Sequence, residues 1–353
     1  MNKLNPTISV LMPVYNGEKY LKEAINSILN QSFKDFEFII INDGSTDSTE
    51  EIILSYTDPR IVYVKNEVNL HLIKTLNKGI DLSKGKYIAR MDADDISIQN
   101  RFEQQIKIFN QYTEVDIVNC QYFLLTADGK SYRNDRTSII INTEAVKYIS
   151  IFQTMIQHPT VMIKAELMKL NKYKDNEDVK HIEDFELWNR LFENKCNSYI
   201  IEEHLLFYRV NPASINNTKG AEQNLKMNKL TENILSNQYN FKINQNALKL
   251  LQGDFNTCSY NLLKKIDFTL ICFFKEVNKK HSISVKVFND MLFWQKHKIF
   301  TVCIKSISKV NFVNKLGIIM FLVSKILWLK DARWRAKLKE IILDFRNLQI
   351  VAL

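Results

Sequence analysis

The chain contains 353 residues, 46% of them hydrophobic and 25% charged, and this composition excludes an intrinsically disordered protein. The length suits one large domain or two ordinary ones. The net charge of +9 is unevenly distributed, because residues 1–240 carry 28 Lys and Arg against 32 Asp and Glu, whereas residues 241–353 carry 20 against 7. The basic C-terminal part favours an anionic partner, such as a membrane surface or nucleic acid.

The five cysteines are scattered and lack CxxC spacing, which argues against a disulfide framework and against a zinc site. Unpaired cysteines are typical of a reducing, cytosolic setting. The first residues contain no apolar run of the kind found in a signal peptide. We therefore expect a cytoplasmic protein.

The N-terminal part of the chain alternates between apolar runs and amphipathic patterns. Apolar runs predict strands, and apolar residues with a helical period predict the helices between them. Strands are predicted at 8–12, 36–41, 61–65 and 87–91, and helices at 18–31, 48–56 and 72–82. This alternation predicts a parallel sheet covered by helices.

Beyond residue 100 the pattern becomes mixed and then helical. Helices are predicted at 101–112 and 183–192, strands at 115–125, 158–163 and 205–210, and a turn at Asp128-Gly129. After Pro212 the chain contains no proline, and a composition rich in Leu, Ile, Lys and Asn predicts helices. We therefore divide the chain into an α/β domain at 1–220 and a helical, basic region at 221–353.

Polar clusters follow three of the predicted strands, at 13–16, 42–45 and 92–95. In parallel sheets, ligands bind at the carboxyl ends of the strands. The last cluster holds three carboxylates, Asp92, Asp94 and Asp95, which repel one another unless water, a cation or hydrogen bonds compensate their charge. A hard divalent ion bound to phosphates would compensate them. The alternative is a solvated acidic turn that caps the next helix.

The most apolar segment of the chain lies at 312–329, and five basic residues follow it between 330 and 339. An apolar helix beside a basic cluster, with Trp328 and Trp334 at the junction, predicts contact with an anionic membrane surface through 312–339. A helix packed on its own domain is the alternative. Lys315 and Lys325 argue against a true membrane span.

An ordered set of motifs resembles the glycosyltransferases of family 2 over roughly residues 7–216. The motifs are ISVLMPVYN at 8–16, NDGSTD at 42–47, NKG at 77–79, GKYIARMDADD at 85–95, HPT at 158–160, ED at 183–184 with LW at 187–188, and YR at 208–209. Each motif alone is a weak signal, but the set in this order is highly specific. Residues beyond about 220 resemble no family that we can name.

The resemblance implies a GT-A fold, which is a Rossmann-like, mostly parallel sheet flanked by helices. It implies an inverting hexosyl- or N-acetylhexosaminyltransferase that moves a sugar from a nucleoside diphosphate sugar, with UDP preferred, to a saccharide or lipid-linked acceptor in bacterial cell-surface polysaccharide synthesis. Such an enzyme would work in the cytoplasm, peripherally at the inner face of the cell membrane. No nucleic acid partner is expected, since the basic tail lacks any recognised module.

On the donor side, the resemblance implies that Pro13, Tyr15 and Asn16 line the nucleotide pocket. Asp43 follows the second strand, where a carboxylate can accept a hydrogen bond from a uracil N–H. The alternative for Asp43 is an Asx turn with Gly44, and one residue can serve both purposes.

The Asp92-Ala-Asp94 segment resembles the DxD motif of such enzymes. We assign Asp94 to a Mg²⁺ or Mn²⁺ ion and Asp92 to the ribose or the same ion. Lys74, Arg90 and Arg209 are candidate phosphate partners. For Lys74 the alternative is a solvated surface charge.

On the acceptor side, Asp184 matches the general base of the family. Its pKa would have to be raised by neighbours such as Glu183 and Trp188, and we place both of these with His158 beside the acceptor. The alternatives are that Glu183 and Asp184 only cap the predicted helix, and that His158, which precedes a proline, is structural.

The sequence departs from the family pattern at three positions. The family often shows Tyr-Arg-x-His-x-x-Ser-x-Ser, but the His position is Asn211 here and the last Ser is Asn216. His71 stands where a glycine often follows Asn-Leu, which would reshape the nucleotide edge.

Two further interpretations stay open at this point. One is a catalytically weak relative that binds a nucleotide-sugar or a partner glycosyltransferase, which the retained Asp92, Asp94 and Asp184 argue against. The other is a nucleotidyltransferase, in which Asp184 and the segment at 158–163 have no clear place.

Overall fold

The computed structural model describes residues 5–126, 128–134, 143–210, 219–252 and 254–325. The strands are β1 (Ile8–Val14), β2 (Phe36–Asn42), β3 (Ile61–Lys65), β4 (Tyr87–Arg90), β5 (Ile96–Ser97), β6 (Ile117–Leu125), β7 (Ser131–Asn134), β8 (Met162–Lys164) and β9 (Ser198–Arg209). The α-helices up to residue 193 are α1 (Leu21–Leu29), α2 (Thr49–Leu54), α3 (His71–Leu82), α4 (Arg101–Gln111), α5 (Thr143–Ile149), α6 (Ala165–Leu170) and α7 (Glu183–Glu193).

The four predicted N-terminal strands form the parallel half of one sheet in the order β3-β2-β1-β4. The apolar runs of β1, β2 and β4 are buried because helices cover the sheet, as expected for parallel strands, whereas β3 at the sheet edge is partly exposed. The sheet continues through β8, β6, β9 and β5, with antiparallel pairs and the parallel pair β6–β9. The strand β7 pairs with β6 beside this path.

The connection from α3 into β4 requires a glycine. A Cβ added at Gly85 would lie 2.5 Å from the backbone nitrogen of Ser9. The chain therefore crosses close to the start of β1 only because Gly85 has no side chain. The backbone N–H of Gly85 also donates to the Ser9 hydroxyl at 2.8 Å.

The predicted strand at 158–163 is wrong in its first half. His158–Thr160 forms a 3₁₀ turn, and only Met162–Lys164 pairs as a strand. The turn is closed by the Thr160 N–H, which donates to the carbonyl of Gln157 at 3.0 Å. Pro159 accounts for the difference, because its ring fixes φ at a value suited to the first turn of a helix.

Contacts divide the chain into two compact units, 1–226 and 227–353. The helix α8 (Gly220–Tyr239) includes the division, and α9 (Gln245–Leu251), α10 (Tyr260–His281), α11 (Val285–Ile307) and α12 (Phe312–Ser324) follow it. The helical character predicted after residue 220 is confirmed. The boundary of a separate functional domain at 220 stays a prediction.

The second unit is stabilised by a core of large apolar side chains and by N-caps. Phe273, Phe274 and Trp294 are fully buried. The hydroxyls of Ser259 and Ser284 each accept a backbone N–H in the first turn of α10 and α11, at 3.3 Å. Such caps satisfy donors that the helix itself leaves free.

Across the described residues, none of the helices combines the length and the apolar character that a membrane crossing requires. The basic cluster at 330–339, which forms part of the predicted membrane contact, lies outside the described residues.

Candidate active site at the carboxyl edge of the sheet

A cleft of about 810 Å³ opens at the carboxyl ends of β1, β2 and β4. It is lined by all the predicted site residues except Lys74 and Trp188, namely Pro13, Tyr15, Asn16, Asp43, Arg90, Asp92, Asp94, His158, Glu183, Asp184 and Arg209. The carboxyl ends of β1, β2 and β4 bring together the residues at and after these strands, and the turn at His158, the start of α7 and the end of β9 supply the others. The volume is within the range of small-molecule sites.

Asp43 is buried at the end of β2, and its surroundings fix its side chain. One carboxylate oxygen, Oδ1, accepts the side-chain amide of Asn66 at 2.8 Å and the backbone N–H of Leu70 at 2.9 Å. The other oxygen, Oδ2, accepts no hydrogen bond from the described residues. Asp43 therefore anchors the chain after β3 through one oxygen and leaves the other for a ligand in the cleft.

Tyr15 and Asn16 follow β1 and differ in their surroundings. The Tyr15 ring is exposed beside the cleft. Asn16 has a left-handed backbone with φ of 49°, and its side-chain oxygen accepts the backbone N–H of Thr46 at 2.9 Å. Its own N–H donates to the Ser45 hydroxyl at 2.9 Å, so the loops after β1 and β2 hold each other in place.

The three acids Asp92, Asp94 and Asp95 converge after β4, with one oxygen of each within 4.8 Å of the others. Asp92 forms an ion pair with the buried Arg90. Asp95 is fully buried, and its Oδ1 accepts the backbone N–H of Arg209 at 2.8 Å. Asp95 is therefore not the exposed cap of the following segment that the solvated-turn interpretation requires.

Arg209, at the end of β9, contacts this cluster through its side chain as well as its backbone. Its Nε donates to the backbone carbonyl of Asp94 at 2.7 Å, and a terminal nitrogen pairs with Glu23 at 2.6 Å. The guanidinium also lies over the Tyr20 ring, 4.1 Å from its centroid. Arg209 thus holds the acidic loop in place while reaching the cleft.

The carboxylates carry more negative charge than their neighbours compensate. Burial, and then the charge of Asp92, raises the pKa of Asp94 to about 6. Burial raises the pKa of Asp95 as well, with Asp92 and Asp94 adding to the effect. The Oδ2 atom of Asp95 is buried without a hydrogen-bond partner among the described residues. This all-oxygen set fits a hard divalent cation such as Mg²⁺ or Mn²⁺, which would supply the missing positive charge.

Glu183 and Asp184 form the first turn of α7, on the other side of the cleft. The N-cap residue is Ile182, so neither acid occupies the capping position. The Oδ1 of Asp184 accepts the adjacent Phe185 N–H at 2.7 Å. Burial raises the pKa of Asp184. Burial, and then the charge of Asp184, raises the pKa of Glu183 to about 7.

His158 is buried beside the cleft and is neutral. Its Nε2 shares a hydrogen bond of 2.6 Å with the hydroxyl of Tyr173. Burial, and then the nearby Arg90, lowers the pKa of His158 well below its usual value. A neutral imidazole tied to a tyrosine shapes the wall of the cleft and brings no positive charge to it.

Two predicted residues lie outside the cleft lining. Lys74 is exposed, and its ammonium lies 3.9 Å from Asp175. Trp188 is buried behind His158, with the two ring centroids 6.1 Å apart in an edge-to-face arrangement. Asn211 and Asn216 lie outside the described residues.

Several residues that contribute to the cleft carry no recognisable signal in the sequence. Tyr173 holds His158, Glu23 pairs with Arg209, and Asn66 holds Asp43. The contribution of Asp95 could have been suspected, since it belongs to the acidic run. The other partners are remote in sequence, and only the fold brings them to the site.

Comparison of the sequence with known proteins identifies related chains. The model for glycosyl transferase family 2 matches residues 9–171. An uncharacterized glycosyltransferase of Methanocaldococcus jannaschii, MJ1057, is 37% identical over 209 residues, which cover 58% of this chain and 71% of the relative. The uncharacterized glycosyltransferase RP339 of Rickettsia prowazekii is 36% identical over 221 residues, covering 62% and 68%.

Solved structures share the fold at low sequence identity. TarS 1–349 of S. aureus in complex with UDP-GlcNAc has a TM-score of 0.54 and 15% identity, covering 86% of this chain and 91% of that chain. The complex of the same protein with UDP has a TM-score of 0.50 and 16% identity, covering 82% and 90%. The predicted GT-A fold, an α/β sheet with a helical C-terminal region, is confirmed.

Proposed function

The chain belongs to glycosyltransferase family 2 and is a glycosyltransferase, and on that premise we propose that it transfers a sugar, with inversion, from a UDP-linked donor to an acceptor hydroxyl. The acceptor is a saccharide or a lipid-linked saccharide in cell-surface polysaccharide synthesis, at the cytoplasmic face of the membrane. The observation that carries the proposal is one cleft lined by Asp92, Asp94 and the separate acidic pair Glu183–Asp184. The UDP and UDP-GlcNAc complexes of TarS support a UDP-linked donor.

The nucleotide end of the donor binds at Pro13, Tyr15, Asn16 and Asp43. The Oδ2 of Asp43 accepts an N–H from the base edge, since its other oxygen is already saturated. The exposed ring of Tyr15 offers an apolar face to the same base. Because Asp43 is buried and held rigidly, this contact discriminates between bases better than a mobile surface acid would.

The diphosphate end binds at the acidic cluster. Asp94 and Asp92 hold a Mg²⁺ or Mn²⁺ ion, which stabilises the charge of the departing nucleoside diphosphate when bound. Arg90 keeps Asp92 oriented through their ion pair. Arg209 exchanges part of its contact with the exposed Glu23 for a phosphate oxygen, and planar guanidinium groups suit such contacts.

Asp184 takes the proton from the acceptor hydroxyl as that oxygen attacks the anomeric carbon. Its burial raises its pKa, which makes it a better base than an exposed aspartate. Glu183, His158 and Trp188 shape the acceptor side and limit water around it. The hydrogen bond of His158 to Tyr173 and its lowered pKa, which burial and Arg90 cause, support a structural role for this residue.

Hydrolysis of UDP-sugars in the presence of Mn²⁺ tests the proposal. The wild type is expected to release UDP, and EDTA is expected to stop the release. Asp94→Asn is expected to lower the rate at least about a hundredfold, because a neutral amide binds a hard cation weakly. Asp128→Asn removes an exposed acid in a turn outside the cleft and is the matched control. Metal-independent turnover, or equal loss in both variants, would contradict the proposal.

We also propose that α12 contacts an anionic membrane surface. Its inner face, with Ile318 and Phe321, is fully buried. Its outer face exposes large apolar side chains, Val313, Leu316, Ile319 and Met320. An exposed apolar stripe on a region with 20 basic and 7 acidic residues is suited to an interface with anionic lipid.

Flotation with phosphatidylglycerol-containing vesicles tests this contact. We expect the double variant Leu316→Gln/Met320→Gln to float at least about fivefold less than the wild type, because both side chains would enter the lipid interface. Leu170→Gln changes a leucine that is 84% exposed on the catalytic unit and serves as the control. Equal flotation of the double variant and the wild type would refute the contact.

A further inference from the structure

Three neighbouring strand ends place three side chains along one edge of the cleft. Tyr15 follows β1, Asp43 follows β2, and the segment after β3 leads to His71, which also lines the cleft. His71 lies close to Asp43 along this edge, because the N–H of Leu70, the residue before His71, donates to the Asp43 carboxylate. Tyr15 and His71 are both exposed, so their rings are accessible from the cleft.

The segment that carries His71 is fixed to β2. The backbone N–H of Leu70 donates to Asp43 at 2.9 Å, and the N–H of Asn66 donates to the Asn42 carbonyl at 2.9 Å. Gly44 has a φ of 71°, and a Cβ there would lie 2.7 Å from the backbone of Val68. The same carboxylate that faces the cleft therefore also positions the residue before His71.

His71 adopts a backbone conformation that disfavours most side chains. Its φ is 67°, and its N–H donates to the Asn69 side chain at 2.8 Å. Of the six non-glycine residues with positive φ in the described chain, three line the cleft: Asn16, His71 and His181. Strained backbone that persists at a ligand site is commonly held there for the ligand.

Among the described residues the imidazole of His71 forms no hydrogen bond, ion pair or ring contact. A glycine would adopt this backbone more readily than a histidine. Polar and ring contacts with the described residues therefore do not explain the side chain, whereas its place in the cleft lining near Asp43 does.

We propose that His71 is a donor-binding residue that packs its ring against the nucleoside of the donor, as a second aromatic wall beside Asp43. The inference rests on the proposed function, since it requires a nucleotide at Asp43. Aromatic rings stack on nucleobases regardless of the metal, so the contact belongs to the nucleoside and not to the diphosphate.

Equilibrium binding tests the inference with two probes. The first is the nucleoside diphosphate that the wild type binds most tightly among UDP, GDP and dTDP, measured with Mn²⁺. The second is the matching monophosphate, measured in EDTA. His71→Gly and His71→Asn both remove the ring but tolerate a positive φ. Lys195→Gly, at an exposed residue with φ of 63° outside the cleft lining, is the matched control.

We expect both His71 variants to bind both probes about five- to tenfold more weakly, in line with the loss of one stacked ring. Lys195→Gly should bind as the wild type does. The Tm of His71→Gly should stay within about 2 °C of the wild type, because relief of the backbone offsets the added freedom of the unfolded chain.

Unchanged binding in the His71 variants would overturn the inference. So would weaker binding of the diphosphate alone, because the ring would then face the phosphates. A comparable loss in Lys195→Gly would assign the effect to the backbone and also overturn it. A wild type that binds none of the three diphosphates would instead contradict the proposed function.

Discussion

The cleft contains two groups of acids whose negative charges are compensated in different ways. We call Asp92, Asp94 and Asp95 the donor-side cluster, and Glu183 and Asp184 the acceptor-side pair. Burial raises the pKa of Asp94, Asp95 and both acids of the pair. The donor-side cluster contacts Arg90 and Arg209. The acceptor-side pair forms no ion pair with a Lys or Arg among the described residues.

The difference shows how one kind of side chain can serve two tasks. Arg90 and Arg209 lower the pKa of Asp94, yet that pKa stays raised, so the three acids favour the binding of a further cation. The pair forms no ion pair with a Lys or Arg among the described residues, and although the charge of Arg90 lowers the pKa of both acids, their burial favours the uptake of a proton. A site that attracts a cation binds phosphates, whereas a site that attracts a proton accepts one from a hydroxyl.

Replacement of Asp184, the proposed base, should produce the largest difference in kinetic effect between the acceptor-side pair and the donor-side cluster. Asp184→Asn is expected to lower kcat for sugar transfer about 10²- to 10⁴-fold, the usual contribution of a general base. The Kd for the donor should change less than about twofold, because the donor-side cluster is untouched. Transfer assays and calorimetric titration of UDP measure the two quantities.

The matched control for this variant is Asp81→Asn, at an exposed acid that pairs with Lys172 outside the cleft. It should leave both quantities unchanged. If Asp184→Asn abolished donor binding while keeping its Tm, the acceptor-side assignment would be wrong. If it kept full transfer, another group would have to be the base.

The protonation of the acceptor-side pair should also make the free energy of unfolding depend on pH. The pKa of Glu183 rises from 4.5 to about 7 on folding, so the folded state retains a proton that the unfolded state loses. Wild-type stability is therefore lost as the pH rises from about 4.5 to 7. Glu183→Gln removes this loss and should be stabilising by roughly 2–3 kcal/mol more at pH 8 than at pH 4.5.

Urea unfolding at the two pH values measures this difference. Glu177→Gln, at an acid whose side chain is 84% exposed, should show no such pH dependence. A stability difference between Glu183→Gln and wild type that is the same at both pH values would mean that folding does not raise the pKa of Glu183. Burial would then not favour a proton on the acceptor-side pair, and the proposed contrast with the donor-side cluster would fail.

The parallel half of the fold was predictable largely because β1, β2 and β4 are buried on both faces. Continuous apolar runs such as 36–41 therefore marked the strands to within two residues, and β1 and β2 only extend further than predicted. The order of the second half, β4-β8-β6-β9, was not predictable. It depends on pairing between distant segments, and β8 is only three residues long.

The site was predictable where the chemistry is local. Asp92 and Asp94 follow one strand, so their grouping could be inferred from spacing, whereas Asp184, in the first turn of α7, was assigned to the site by the resemblance to the family. The partners of Arg209 could not, because Glu23 lies 186 residues away in sequence. The strained backbone of His71 could not be predicted from the sequence either. Its positive φ depends on the loop after β3, which is held by hydrogen bonds to β2 and Asp43, and not on the histidine alone.

The smallest expected effect is the change in the KM for the donor when Lys74 is replaced. Lys74 is exposed, and its ammonium lies 3.9 Å from Asp175, which is itself exposed. Such surface pairs contribute little, because water and salt screen them. Lys74→Ala should therefore change the KM for the donor less than about twofold in initial-rate assays.

Arg209→Ala, which removes a cation lining the cleft, should raise the same KM several-fold more. A tenfold rise in KM for Lys74→Ala would mean that Lys74 moves to the diphosphate when the donor binds, and the donor-side cluster would then draw on a surface lysine as well as on a metal ion.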